Sequence, residues 1–223
     1  LFPTARIVRL DQDTTSRKHS GDRIIEPSAA MNDILLGTQM VAKGHDFPGV
    51  SAVGILSADS LLNLPAYWAG ERTFQLLTQA AGRAGRGDVP GRVVMQTYAP
   101  DHYVIQCAAR QDYRAFYDQE IQFRQELAYP PFQEMTKIMV SDVDEQAVWR
   151  KATTSQRLLR AGIKRTALLI IIGPYEDVIK KIRNKYRLVL SLTAADLGPI
   201  KKGMRDLPAC WQTGVVIDVD PSM

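Results

Sequence analysis

No Gly-x-x-x-x-Gly-Lys-[Ser/Thr] run occurs anywhere in the 223 residues, so the chain carries no phosphate loop of its own. Cysteine is nearly absent. Cys107 and Cys210 stand far apart, which favours reduced thiols over a disulfide framework and leaves too few ligands for a four-ligand zinc site. No apolar run reaches the length of a membrane helix, and no signal peptide is visible. Neither sign of charge dominates: a net charge of +4 and a pI near 9.1 permit an acidic partner such as DNA without demonstrating one. The length is enough for two domains with cores of their own.

What is present is Gln79-Ala-Ala-Gly-Arg-Ala-Gly-Arg86, two arginines each preceded by glycine and opened by a glutamine. The glycines let backbone approach a ligand with no Cβ in the way. The guanidiniums of Arg83 and Arg86 can meet phosphate oxygens in a fork and remain charged. In phosphoryl transfer such arginines offset charge developing on the outer phosphate. Taken alone, the run is equally a loop after a helix, held by surface carboxylates. The upstream stretch Gly37-Thr-Gln-Met-Val-Ala-Lys-Gly-His-Asp-Phe-Pro-Gly-Val50 weakens that alternative. Asp33-Ile-Leu-Leu36 reads as a short buried strand, with Gly37 and Thr38 at its carboxyl end, where α/β sheets place ligands. Their amides and the Thr38 hydroxyl suit a nucleic-acid phosphate. Lys43 and Gly44 turn the chain toward a second ligand, and Asp46 can accept a ribose hydroxyl.

These two stretches resemble motifs V and VI of superfamily 2 helicases. Together with Leu1-Phe-Pro-Thr-Ala-Arg6, Arg9-Leu-Asp-Gln-Asp-Thr-Thr-Ser-Arg-Lys18, Glu71-Arg-Thr-Phe-Gln75, Gln96-Thr-Tyr98, Tyr129-Pro-Pro-Phe132 and Asp218-Val-Asp-Pro221, they resemble the bacterial primosomal replication-restart helicases, the primosomal protein N′ family. The resemblance is dense to about Phe132 and thin between Gln133 and Thr213. It implies an ATP-dependent 3′-to-5′ DNA helicase that restarts stalled forks by primosome assembly in the bacterial cytoplasm, associated with the nucleoid. ATP and Mg2+ would be held mainly by a first motor lobe, with Zn2+ in a cysteine-rich module ahead of this segment, and neither within this chain. The implied partners are forked and single-stranded DNA, single-strand-binding protein and other primosome proteins, with no membrane. In that frame Arg83, Arg86 and Gln79 are catalytic, Lys43, Gly44 and Asp46 line the nucleotide cleft, and Gly37 and Thr38 hold the tracking strand. The opening Leu1-Phe2-Pro3, without an initiator Met, leads to the expectation of a C-terminal fragment that is inactive alone.

Pattern supplies a coarse organisation. Strands are expected over Ala5 to Leu10, Ile34 to Leu36, Ala52 to Leu56 and Arg92 to Thr97, and a helix over Gly70 to Ala81 with Phe74, Leu77 and Ala81 inward. Arg72, Gln75 and Gln79 fall on its other side, toward a cleft. Asp101 to Leu127 reads as a long helical stretch, interrupted or not, closed by Tyr129-Pro-Pro131. Strands alternating with helices imply the parallel sheet of a RecA-like second lobe over residues 1–131. After Pro131 the pattern resets. Strands at Phe132 to Asp142, Leu168 to Gly173, Tyr186 to Leu192 and Gly214 to Val219, with helices at Glu145 to Ala161 (ended by Gly162) and Asp196 to Leu207, suggest a ferredoxin-like α+β domain over 132–223.

In that second domain Lys180, Lys181, Arg183, Lys185 and Arg187 form a basic cluster flanked by Tyr175 and Tyr186, suited to phosphates and to stacking on unpaired bases. A solvated turn is the plain alternative. Lys201, Lys202 and Arg205 make a weaker patch. Asp144-Glu145 imitates a metal-binding acidic motif but reads as a surface turn or helix start, and Asp218 and Asp220 as a polar strand end. His45 and His102 read as core or surface histidines. No metal site is expected. Where the family usually reads Pro-Asp-Phe-Arg-Ala, this chain has Pro65-Ala-Tyr-Trp-Ala69, so any ion pair there is lost; the segment Asp22 to Asn32, with Pro27, also breaks the family's helix. The competing function class is a non-catalytic DNA- or protein-docking module.

Overall fold

The computed structural model describes residues 3–10, 33–38, 49–85, 90–162, 169–198 and 214–219. The chain divides into two compact units, Leu1–Glu120 and Ile121–Met223.

In the first unit, β1 (Ile7–Leu10) pairs in parallel with β2 (Ile34–Gly37), and β3 (Ala52–Ile55) in parallel with β4 (Arg92–Met95). Among the described residues these remain two separate two-stranded pairs, so the class is mixed α/β without a continuous parallel sheet. A parallel pair needs a crossover, and α1 (Ala69–Ala81) lies between β3 and β4 in the chain. Its inward stripe is Ala69, Thr73, Phe74, Leu77 and Ala81, the expected 3.6-residue repeat. The Phe74 ring stacks on Phe116 at 4.3 Å between centroids and 11° between planes, joining a core with Val104, Ile105 and Ala108.

The expected stretch from Asp101 to Leu127 is two helices, α2 (Tyr103–Arg110) and α3 (Tyr113–Glu126). Gln111 ends α2 in the left-handed region at φ 54°, and Asp112 Oδ1 accepts from Ala115 N at 2.9 Å. A capping aspartate restarts the helix in a new direction. His102 opens α2 by accepting from Val104 N, a structural role as expected of it.

The second unit is one four-stranded antiparallel sheet ordered β6-β7-β5-β8, built from β5 (Glu134–Asp142), β6 (Ile170–Ile182), β7 (Lys185–Ala194) and β8 (Val215–Val219). The helix α4 (Glu145–Gly162) connects β5 to β6, and β7 lies between those two strands, a split β-α-β arrangement. Gln146 N donates to Asp144 Oδ1 at 2.8 Å, so Asp144-Glu145 is the helix start expected of it. Val148, Ala152, Ser155 and Leu159 form the buried stripe of α4. Ile138, Val140, Leu188, Leu190 and Leu192 meet Val148, Ala152 and Leu159 in one core. Burying each of the leucine, isoleucine and valine side chains contributes about 1.5–3 kcal/mol before chain entropy is counted.

Most strand ends lie a few residues from their expected positions, and two boundaries in the second unit have a specific physical cause. Gly162 is the last residue of α4 rather than the one beyond it. β6 does not stop at Gly173: its ladder skips between Ile172 and Tyr175, then resumes to Ile182. Pro174 has no N–H to contribute to a ladder, and it sits in that skip, where none is needed. The expected helix from Asp196 to Leu207 lies mostly outside the described residues. Among the described residues no helix is long and apolar enough to cross a membrane.

Candidate functional site

The glycine-arginine turn begins where α1 ends. Gly82 N donates to Thr78 O at 2.9 Å, Arg83 N to Ala80 O at 3.1 Å and Ala84 N to Ala81 O at 3.2 Å, so the helix tightens instead of stopping abruptly. Gly85 then takes φ +77°, and its N–H donates to Val50 O at 3.0 Å. A Cβ there would lie 2.8 Å from Gly91 N, so two glycine backbones touch where the chain enters β4. Only glycine meets both demands. The turn is thereby fixed against the residues that precede β3 and β4, with Arg83 half-buried within it and Gln79 exposed on α1 one turn earlier. Gln75, which shares the side of α1 assigned to the cleft, donates to Glu71 at 3.0 Å. Gly37 and Thr38 are exposed at the carboxyl end of β2. Lys43, Gly44, Asp46 and Arg86 lie outside the described residues, as do His45, Lys201, Lys202, Arg205 and Asp220.

In the second unit the basic cluster separates into distinct groups. Arg183 at φ 49° and Asn184 at φ 62° form the two-residue turn between β6 and β7. Both angles positive is the hairpin geometry that matches strand twist, and asparagine tolerates it well. Arg187 points elsewhere: its Nη2 meets Asp177 Oδ2 at 2.7 Å, and its Nε lies 2.8 Å from Met139 Sδ. The other oxygen of Asp177 takes Lys137 Nζ at 3.2 Å and the Val178 N–H at 2.9 Å. Asp177 is buried, so a single carboxylate joins β5, β6 and β7 on the sheet face opposite α4.

Lys180 Nζ bridges Glu176 at 2.9 Å and Glu145 at 3.1 Å. Bonding first to Glu176 and then to Glu145 pushes its ammonium well above the usual lysine range. Lys181 lies over the Tyr186 ring at 4.4 Å from its centroid, and Tyr186 packs against the core. Tyr175 is part-exposed on the open face, its hydroxyl hydrogen-bonded with Ser191 Oγ at 2.7 Å. Lys181, Arg183 and Lys185 have no carboxylate partner among the described residues. Sequence alone did not separate these three from Lys180 and Arg187, nor mark Asp177. The partners of Asp177 lie on other strands, and no local pattern encodes such a contact. Among the described residues no group of three His, Cys, Asp or Glu side chains is placed to hold a metal ion.

Residues 125–222 match the family described as the primosomal protein N C-terminal domain. The chain is 44% identical over 191 residues to the replication restart protein PriA of Bacillus subtilis, covering 84% of this chain and 23% of that protein. It is 35% identical to the protein of the same name from Chlamydia pneumoniae, across 99% of this chain and 30% of the relative. Against that of Synechocystis the identity is 34%, across 98% and 26%. The chain therefore spans about a quarter of the length of these curated relatives.

Proposed function

The chain belongs to the PriA replication restart family, and on that premise we propose that it is the C-terminal part of an ATP-dependent 3′-to-5′ DNA helicase that restarts stalled replication forks by primosome assembly. Residues 1–131 act as part of a RecA-like second motor lobe, and residues 132–223 as a ferredoxin-like DNA- and partner-binding domain. The split β-α-β sheet supports the second assignment, and the parallel strand pairs are compatible with the first. The setting is the bacterial cytoplasm, at the nucleoid, with forked and single-stranded DNA, single-strand-binding protein and other primosome proteins as partners.

The observation that carries the motor reading is the turn after α1. Backbone contacts to Val50 and Gly91 hold it, so Arg83 is presented on a rigid support. Such a support suits a cation that must meet an outer phosphate without reorganising. ATP, held with Mg2+ mainly by the first lobe, would supply the phosphoryl group, and the metal would neutralise part of its charge. Arg83 and Arg86 offset the charge that develops on that group, and Gln79 orients it or the attacking water. Lys43, Gly44 and Asp46 line the cleft, and Gly37 and Thr38 grip the tracking strand through its phosphates. Within the basic cluster of the second unit Lys181, Arg183 and Lys185 are the cations most available to DNA. Lys180 and Arg187 would first have to leave their carboxylates, and Tyr175 offers a part-exposed ring for a base.

The test is ATP hydrolysis by the full-length protein with and without forked DNA. Arg83→Ala or Arg86→Ala is expected to lower kcat by about a thousandfold while nucleotide affinity falls far less. The chain alone is expected to show no DNA-stimulated hydrolysis. Robust turnover that copurifies with it, or arginine variants that leave kcat intact, would exclude this assignment.

A further inference from the structure

Between Glu176, opposite Leu188, and Lys181, opposite Tyr186, the β6 ladder loses register. Four residues of β6 face one of β7 there. Asp177 turns inward to Lys137 and Arg187, and Lys180 is tied to Glu176 and Glu145. The two residues between these anchors, Val178 and Ile179, are thrust outward at 67% and 56% exposure. Anchored on both sides, the pair is held in water by the fold. Bulges commonly re-aim side chains beside functional sites.

From Val178 to Tyr186 the chain carries four cations and no carboxylate. Lysine is depleted in the cores of protein–protein interfaces, whereas nucleic-acid interfaces are rich in it. A single-strand platform calls for free aromatic faces. At this end of the hairpin the one ring, Tyr186, is packed on the core and covered by Lys181. Apolar side chains such as isoleucine are instead the kind that press between the base steps of a duplex, and β-ribbons can carry side chains into either groove.

Resting on the DNA-binding reading above, we propose that this end of the β6–β7 hairpin is a duplex-DNA contact. Val178 and Ile179 press on a base step at the double-strand side of a junction, while Lys181, Arg183 and Lys185 hold the flanking phosphates.

The experiment uses the full 223-residue chain, fluorescence anisotropy on a labelled duplex–single-strand junction and on an equal single strand, and 2-aminopurine at the last paired position. The parent chain is expected to prefer the junction and to raise 2-aminopurine emission. Val178→Thr with Ile179→Thr keeps the β-branch and strand propensity, and circular dichroism checks the fold. It should lose about tenfold in junction affinity, keep its salt slope and abolish the emission change. Arg183→Ala with Lys185→Ala should lower the salt slope by about two. Should the charge pair matter while the threonine pair binds and unstacks like the parent, the wedge is overturned and DNA binding by the cluster stands. No effect of either pair on either DNA overturns both. A parent preference for the single strand, or dependence on Val178 and Ile179 only for an acidic peptide probe, also overturns the wedge.

Discussion

The Asp177 carboxylate meets the Arg187 guanidinium at 2.7 Å on the sheet face turned away from α4, and Lys137 reaches the same carboxylate from β5. A buried charge deprived of its partner is costly, so Asp177→Ala, which strands two cations, should destabilise the second unit by about 3 kcal/mol or more. Arg187→Ala leaves Lys137 in place and should cost less. Urea melts of the two variants check the order. Arg187→Ala should also leave the salt slope of DNA binding unchanged, because its guanidinium is already engaged.

His102 caps α2 through Nδ1, which accepts from Val104 N at 3.3 Å. Only a neutral imidazole has an acceptor nitrogen. Burial holds the His102 pKa below its usual value, with Glu120 opposing weakly. The unfolded chain therefore binds this proton more readily than the fold does. The contribution of the cap is complete above the unfolded value near 6.5 and declines as pH falls from there toward the lower folded value. His102→Asn should retain a cap that does not titrate in this window. Thermal melts between pH 7.5 and 5 should show a shallower loss for the variant, and parallel curves would exclude the mechanism.

Gly85→Ala would place a side chain at φ +77° and against Gly91 N. Strain of this kind costs about 1–3 kcal/mol, and the turn should shift before the unit melts. In the full-length protein the expected signature is a fall in kcat larger than the fall in stability, read by ATPase assay beside calorimetry.

Phe116→Ala removes one ring of the stacked pair with Phe74 in the core shared by α1, α2 and α3. The expected cost is about 3–5 kcal/mol, enough to melt the first unit ahead of the second. Calorimetry should then resolve two transitions.

Legibility in the sequence followed how local each signal is. Phe74, Leu77 and Ala81 repeat at helical spacing within a single element, and α1 lies within one residue of its expected start. Whether the stretch breaks, and where, stayed open because both flanking helices are amphipathic; a left-handed angle at Gln111 and the Asp112 cap divide them. β6 read as ending at Gly173 because Pro174 and the lysines argue against a strand, yet β7 supplies the ladder that carries it onward. Asp177 and Lys137 are 40 residues apart and meet only across the finished sheet. Of the candidate site, the arginine turn could be located from its glycines alone. Which lysines stay free of carboxylates depended on where Glu145 came to lie.

The broken register of β6 has one more effect, on self-association. Among the described residues β6 is an outermost strand of its sheet, and it carries Ile170, Ile172, Val178 and Ile179 at the surface. A long, flat, apolar border of that kind invites strands from other copies. Here Pro174 removes one donor, the four-residue excursion removes the straight border that a second chain would need, and Lys181 adds repulsion between copies. The same distortion that thrusts Val178 and Ile179 into water denies a neighbouring copy a straight template along β6, so association through this edge is disfavoured despite its greasy rim.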